Sequence, residues 1–142
     1  MKKLFTLALG LFLLVSCSSD DSPTSTIDTS LLTNKKWYPS STVIQGQTIP
    51  YEHENINCGK DYSMFMVEGV YKDVYLTMDC TEYVSTGTWV ISGNTITTNE
   101  SGDINSGTIT KLTASELHVL AGYDIDDDGQ EDGTATLVFS TN

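Results

Sequence analysis

Arginine is absent from the 142 residues of this sequence, and lysine occurs only seven times against 19 aspartates and glutamates. Lys2 and Lys3 lie at the N-terminus, whereas every acidic residue follows residue 17. The chain beyond the N-terminal segment is therefore strongly acidic. Such a surface repels nucleic acid phosphates and anionic lipid headgroups, so nucleic acid is excluded as a partner, while cation binding is favoured.

Motifs that would indicate catalysis are also missing. The sequence contains no Gly-x-Ser-x-Gly, no phosphate-binding loop and no His-x-x-x-His. Of the two histidines, His53 falls in a predicted loop and is expected to be exposed. His118 alternates with Leu117 and Val119 and therefore faces away from them. We expect no enzymatic activity and no catalytic residue.

Long apolar runs are limited to one segment, Leu4–Val15, which follows the two N-terminal lysines. The run is too short to span a bilayer and has the layout of a secretory signal. It ends in Leu14-Val15-Ser16-Cys17, which resembles the lipobox of bacterial lipoproteins. The resemblance implies that residues 1–16 are a lipoprotein signal peptide and that Cys17 carries fatty acids such as palmitate. The alternative is an ordinary cleaved signal in which Cys17 is incidental.

Residues 17–30 are rich in serine, threonine and aspartate and are predicted to form a flexible tether. Its acidic pair, Asp20-Asp21, resembles the surface-export signal of Bacteroidota lipoproteins. We therefore expect a lipid-anchored protein of the outer membrane, at the cell surface, with the periplasmic face as the alternative. The pair is equally compatible with a solvated tether that carries no signal.

Two further cysteines, Cys58 and Cys80, remain in the exported part of the chain. An even pair in an oxidising compartment favours a disulfide. Such a bridge would contribute about 3 kcal/mol through the entropy of the unfolded chain. Two free thiols or a metal-binding pair are the alternatives. The two histidines, however, show no ligand spacing to the cysteines.

Residues 31–142 show period-two alternation and no amphipathic helical stretch, so we predict a single all-β domain. Eight strands are predicted near 37–44, 64–71, 73–79, 87–91, 95–98, 107–112, 117–123 and 134–139, with Ile49–Asn57 as an irregular loop. Turn residues between neighbours, such as Ser92-Gly93-Asn94, favour an antiparallel meander. A meander of eight strands loses its exposed edges by closing into an up-and-down barrel. A β-sandwich is the alternative.

Several short motifs together resemble the lipocalin-like lipoproteins of Bacteroidota. In chain order they are Asn34-Lys35-Lys36-Trp37, Cys58-Gly59-Lys60-Asp61, Asp79-Cys80, Gly87-Thr88-Trp89-Val90-Ile91-Ser92-Gly93-Asn94 and Leu112-Thr113-Ala114-Ser115-Glu116-Leu117. The resemblance implies an eight-stranded barrel whose closed end is plugged by Trp37, with Cys58 and Cys80 bridged near one rim. Two features depart from the family pattern: Lys35 replaces a glycine, and no arginine is available to pack over the tryptophan.

The acidic segment Asp124–Asp132 has the spacing of the first part of an EF-hand calcium loop. Carboxylates lie at loop positions 1, 3, 5 and 9, glycine lies at position 6, and position 7 offers a backbone carbonyl. The predicted ligands are Asp124, Asp126, Asp128, Gln130 and Asp132. Position 12, which is usually glutamate, is Ala135, so calcium binding would be weak. A solvated acidic turn without metal is the alternative, and no other cofactor is expected.

Two non-enzymatic functions remain for such a barrel. The first is binding of a small apolar ligand inside it, with Met64, Met66, Met78, Phe65 and Tyr71 as residues that could line a cavity. The second is a structural or interaction role at the cell surface, with a barrel filled by its own side chains. The sequence does not identify ligand-binding residues, and we expect a monomer attached to the membrane through its N-terminal lipid.

Overall fold

The computed structural model describes residues 27–53, 57–124 and 128–142. A short helix, α1 (Thr29–Leu32), precedes the first strand. The strands are β1 (Lys36–Ile44), β2 (Gln47–Pro50), β3 (Tyr62–Phe65), β4 (Val70–Leu76), β5 (Glu82–Ser92), β6 (Thr95–Glu100), β7 (Asp103–Leu112), β8 (Glu116–Tyr123) and β9 (Gly133–Ser140). Cys17 and the predicted signal peptide lie outside the described residues. No helix in the described ranges is long and apolar enough to cross a membrane.

The strands form a closed antiparallel barrel. From β3 to β9 each strand pairs with the next in the chain, and β1 pairs with both β3 and β9, which closes a ring of eight. β2 pairs only with the second half of β1 and is an additional strand. The prediction of an eight-stranded up-and-down barrel is confirmed, and the β-sandwich alternative is wrong.

β2 corrects the prediction that an irregular loop begins at Ile49. All four residues of β2 are exposed, so this strand has no buried face and no apolar alternation to reveal it. It forms because Gln45 and Gly46 both adopt positive φ, 50° and 80°. This conformation is typical of a tight hairpin turn.

One end of the barrel is closed by a packed core. Leu32 of α1 and Trp37 of β1 are fully buried there, together with Trp89. The indole Nε1 of Trp37 donates to the carbonyl of Leu32 at 2.8 Å, and that of Trp89 donates to the carbonyl of Met66 at 2.9 Å. The plugging role predicted for Trp37 agrees with this arrangement. Ile27, which the sequence placed in the tether, also packs against this core.

Lys35 compensates for the missing arginine at this closed end. Its ammonium group lies 5.5 Å from the centre of the Trp37 ring, within the range of a cation–π interaction. The same group donates a long hydrogen bond of 3.4 Å to the carbonyl of Ala114 in the β7–β8 turn. A single lysine therefore joins the first strand to a turn on another part of the barrel.

The opposite end of the barrel, which we call the mouth, is formed by the connections β1–β2, β4–β5, β6–β7 and β8–β9. Cys58 and Cys80 form a disulfide beside it, with their Cα atoms 5.2 Å apart. Cys80 lies in the β4–β5 connection, so the bridge ties the segment that precedes β3 to the end of β4. The predicted disulfide is confirmed, and it lies near one rim of the barrel, as the resemblance implied.

Candidate functional site

The barrel is hollow between the closed end and the mouth. A cavity of about 410 Å³ opens among β3 to β9, and a second of about 320 Å³ lies towards β1. The two share part of their lining, so they are neighbouring parts of one interior space. The shared residues are Ser63, Tyr71, Asp73, Leu137 and Phe139.

The floor and one wall of this space are apolar. Phe65 forms the base, where its ring meets Trp89 edge-on at 5.6 Å and Tyr71 at 5.2 Å. The aliphatic part of the lining comes from β6, β8 and β9 and consists of Ile96, Leu117, Val119, Ala121 and Leu137. Because inward-facing residues alternate along each strand, these positions share the interior face.

Two positions of the barrel wall have no room for a side chain. Gly107 lies opposite Ile96 in the β6–β7 pair and lines the cavity. A side chain at this position would overlap with Val119 of β8. Gly87 lies opposite Tyr71, and a side chain there would overlap with the backbone of Asn99. Both positions therefore require glycine, because the neighbouring strands pack too closely there to admit a side chain.

The other wall carries two carboxylates. Ser63 and Asp73 are paired across β3 and β4, and the Ser63 hydroxyl donates to Asp73 Oδ1 at 2.7 Å. Asp73 is paired in turn with Ser85 of β5, whose hydroxyl donates to Glu100 Oε2 at 2.6 Å. Asp73 and Glu100 both line the larger cavity. The hydroxyl groups satisfy hydrogen bonds of the carboxylates but do not neutralise their charge.

Burial raises the pKa of Asp73 above its ordinary value, and the negative charge of Glu100 adds to the rise. The hydrogen bond from Ser63 opposes part of this shift. Burial and the charge of Asp73 also raise the pKa of Tyr71 far above its usual range. The Tyr71 phenol therefore stays neutral, and it donates a weak hydrogen bond of 3.4 Å to the Ser63 hydroxyl.

Two stacked tyrosines extend this wall towards the mouth. Tyr75 and Tyr83 are directly paired across β4 and β5, and their rings lie nearly parallel with centroids 5.1 Å apart. Tyr75 lies two residues beyond Asp73 and therefore has the same inward orientation. About half of each tyrosine is exposed, 49% and 51%. The entrance is thus flanked by accessible aromatic surface.

A third carboxylate, Asp61, is buried, lines the smaller cavity and has a structural role. Its Oδ1 accepts from the backbone N–H of Leu76 at 2.8 Å, and its Oδ2 accepts from the Tyr51 hydroxyl at 3.0 Å. The backbone N–H of Asp61 donates to His53 Nδ1 at 3.1 Å. Asp61 therefore holds the connection before β3 against the end of β4.

The two histidines lie outside the interior cavities. Only 12% of the His53 side chain is exposed, so the expectation that it is exposed is wrong. Its contacts with the buried Asp61 and with the Tyr51 ring, 4.9 Å away, cover it. His118 is half-buried, with its Nε2 3.9 Å from Glu116 Oε1. It faces away from the buried Leu117 and Val119, as predicted.

The methionines named as possible lining residues do not line the interior cavities, and Met78 is 80% exposed. Phe65 and Tyr71 do line them. The sequence did not reveal the other lining residues, among them the polar residues Ser63, Asp73 and Glu100. Asp73 and Val74 are neighbours in β4 and therefore face opposite sides of the barrel wall. Both are at least partly buried, so the polarity of the two residues does not show which side faces the interior. One signal in the sequence could have indicated the inner face of β4, namely the alternate positions of Tyr71, Asp73 and Tyr75.

The predicted calcium loop connects β8 to β9 at the mouth. Asp124 Oδ2 accepts from the backbone N–H of Gly129 at 2.8 Å, and the Asp124 Oδ1 atom is buried without a hydrogen bond. Asp128 Oδ1 accepts from the N–H of Gln130 at 2.8 Å. The predicted ligand Asp126 lies outside the described residues. Among the described residues, no three His, Cys, Asp or Glu side chains are grouped to hold a metal ion. Calcium binding stays a prediction.

Comparison with known proteins adds the family and the fold. Residues 33–119 match the family model described as the lipocalin-like domain. None of the curated proteins matches this chain. A lipocalin-like protein from Bacteroides uniformis ATCC 8492 is similar in structure, with a TM-score of 0.58 and 12% identity, over 79% of this chain and 99% of that one.

Two other solved structures are similar. One is an uncharacterised protein from Bacteroides eggerthii DSM 20697, with a TM-score of 0.55 and 9% identity, over 76% of this chain and 98% of that one. The other is lobster apocrustacyanin A1, with a TM-score of 0.51 and 13% identity, over 81% of this chain and 63% of that one. At these identities the structures show a common fold. The family match spans more than half of the chain, which therefore belongs to the lipocalin-like domain family.

Proposed function

We propose that this protein is a lipid-anchored lipoprotein of the bacterial envelope that binds a small, largely apolar ligand inside its barrel. The observation that supports binding is the interior cavity of about 410 Å³ above Phe65. This volume is in the range of small-molecule sites, which are concave, mostly apolar and have a few polar groups. An eight-stranded barrel is wide enough to be either filled by its side chains or left open for one ligand.

The cavity favours the binding function over the structural or interaction role with a filled barrel. A role in catalysis has less support. The two interior cavities are lined by carboxylates, hydroxyls and a neutral phenol, without a histidine, cysteine or lysine among their lining residues. Attachment to the outer membrane through Cys17, at the cell surface, rests on the resemblance of the N-terminal segment to lipoprotein signals.

Native mass spectrometry of the protein extracted from the membranes of cells that produce it tests the binding function. We expect a small molecule to accompany the protein. Ala121→Phe, which fills the cavity wall, should abolish its retention. Leu120→Phe is the matched control because Leu120 is the neighbouring residue on the outer face of β8 and is 37% exposed. Wild-type protein free of any small molecule, or equal retention by both variants, would contradict the proposed function.

A further inference from the structure

We propose that the ligand of this cavity is an organic cation, with its apolar body on the Phe65 floor and its positive group beside Asp73 and Glu100. This inference rests on the proposed function and specifies the charge of the ligand. It differs from the expectation of a purely apolar ligand because the interior has one apolar wall and one wall with two carboxylates.

The charge balance inside the barrel favours a cationic ligand. Asp73 and Glu100 line the same cavity, and the neutral hydroxyls of Ser63 and Ser85 donate hydrogen bonds to them. None of the five lysines of the barrel domain lines either interior cavity. Carboxylates removed from bulk water without a cation are unfavourable. A ligand that brings a positive charge would relieve this cost, whereas an anionic ligand such as a fatty acid would increase it.

The charge at the mouth also favours a cation. The three connections 77–81, 101–102 and 124–132 contain no lysine. They and the strand residues next to them carry acidic groups, among them Asp79, Glu82, Asp103, Asp124 and Asp132. A cleft lined by charge of one sign raises the local concentration of ligands of the opposite sign and their association rate. The entrance therefore favours cations before any contact with the interior.

Aromatic surface lies along the path to the carboxylates. The stacked rings of Tyr75 and Tyr83 lie at the entrance, and Tyr71 lines the cavity two residues before Asp73. Cations are attracted to the faces of aromatic rings, and alkylammonium groups are recognised in this way. Carboxylates and tyrosine rings on one wall, opposite aliphatic side chains, fit an amphipathic ammonium ion better than a neutral lipid.

Three isosteric probes that differ in charge test the inference: 1-naphthylmethylammonium, 1-naphthalenemethanol and 1-naphthoate. Affinities are measured by titration calorimetry on the full chain in zwitterionic nanodiscs, with empty nanodiscs as the blank. We expect the ammonium probe to bind about tenfold more tightly than the alcohol, since hydrogen bonds to charged groups are the stronger ones. The naphthoate should bind more weakly than the alcohol.

Asp73→Asn and Glu100→Gln should each lower the ammonium-to-alcohol affinity ratio, and the double variant should bring it to about one while affinity for the alcohol is retained. Glu68→Gln is the matched control, because Glu68 is exposed in the β3–β4 connection at the closed end and its loss should leave the ratio unchanged. If Asp73→Asn does not fold, Glu100→Gln alone must lower the ratio.

Equal affinity for ammonium and alcohol, or an ammonium preference that survives in the double variant, would overturn the cation inference. Both outcomes leave ligand binding in the cavity intact, because the alcohol still binds. If none of the three probes binds, the cation inference fails together with the proposed function.

Discussion

Asp73 shows how one residue can weaken the fold and still be suited to a binding site. Its carboxylate lies on the cavity wall with a hydrogen bond from Ser63, and burial raises its pKa. A raised pKa in the folded state means that the fold accommodates the neutral acid better than the ionised carboxylate. Asp73 therefore lowers the stability of the empty barrel whenever it is ionised. Destabilised polar groups of this kind are typical of functional sites.

Asp73→Asn should raise the melting temperature at pH 7 by a few degrees. The amide keeps an oxygen that accepts from Ser63 but removes the buried charge. The penalty from the charge is absent below the unfolded-state pKa of about 3.9 and is fully present above the raised folded-state pKa. The difference in melting temperature between Asp73→Asn and the wild type should therefore shrink as the pH falls towards 4. Thermal melts of both proteins across this pH range check the prediction. A gain that does not depend on pH would contradict it.

At the scale of elements, most of the barrel could be predicted because inward and outward residues alternate and turns punctuate the chain. Several parts could not. The strand predicted near 64–71 contains the turn Val67–Gly69, and β7 begins at Asp103, four residues before its predicted start, with an exposed first part. β2 is exposed throughout and is held by hydrogen bonds to one neighbour, so no pattern of apolar residues marks it. The first half of β5, Glu82–Thr86, is also exposed. It pairs with β4 beyond the packed core, so the prediction that this strand starts at Gly87 was too short.

The candidate site was less predictable than the fold for a related reason. Phe65 and Tyr71 could be named as lining residues because they are large and apolar in part. Ser63, Asp73 and Glu100 resemble ordinary surface residues in the sequence. They line the interior only because the barrel closes through the pairing of β9 with β1. This contact joins the two ends of the domain, which local alternation does not specify.

The disulfide should stabilise the β3–β4 hairpin and the segment before it. Replacing both cysteines, Cys58→Ser with Cys80→Ser, should lower the stability by about 3 kcal/mol, because the unfolded chain regains the entropy of an open loop. Thermal melts with and without reductant check this. In reductant the melting temperature of the wild type should fall towards that of the double variant. The melting temperature of the double variant should be the same with and without reductant. Equal melting temperatures for the wild type in both conditions would contradict a stabilising role of the bridge.

The β8–β9 connection should bind calcium weakly through Asp124, Asp126, Asp128, Asp132 and the carbonyl of Gln130. With a dissociation constant of about 10⁻⁴ to 10⁻³ M, as in extracellular modules, calcium at ten times this value stabilises the fold by about 1.4 kcal/mol. The melting temperature of the wild type should therefore rise with calcium, and that of Asp126→Ala with Asp128→Ala should not. Glu82→Ala with Asp103→Ala controls for the loss of charge at the mouth. An equal response of all three proteins would exclude the site.

The whole molecule has an uneven distribution of charge along the barrel. Lys35, Lys36 and Lys111 lie at the closed end together with Asp28, Glu68 and Glu116, so this end carries both signs of charge, whereas the β4–β5, β6–β7 and β8–β9 connections at the mouth are acidic and contain no lysine. The chain also enters the barrel at the closed end, where Ile27 packs against the core. A lipid on Cys17 would therefore attach the barrel by its closed end.

This attachment predicts that the mouth points away from the membrane. Residues 17–26 span at most about 35 Å. A ten-residue strand is about 33 Å long, and a tilt of about 40° gives a barrel about 25 Å high. The tether could therefore bring the mouth to the lipid only by doubling back along the whole height of the barrel. An anionic membrane would in addition repel the acidic mouth more strongly than the closed end, where lysines balance the acidic residues. Ligands would then enter from the side that faces the surroundings.

Single cysteines labelled with a fluorophore test this orientation on liposomes that carry a headgroup quencher. Ser115→Cys places the label at the closed end, in the β7–β8 turn, and Ser101→Cys places it at the mouth, in the β6–β7 turn. Quenching should be stronger at residue 115. Cys17→Ala should release both labelled proteins from the liposomes and abolish quenching. Stronger quenching at residue 101 would contradict the orientation, whereas retention of Cys17→Ala on the membrane would contradict the lipid anchor itself.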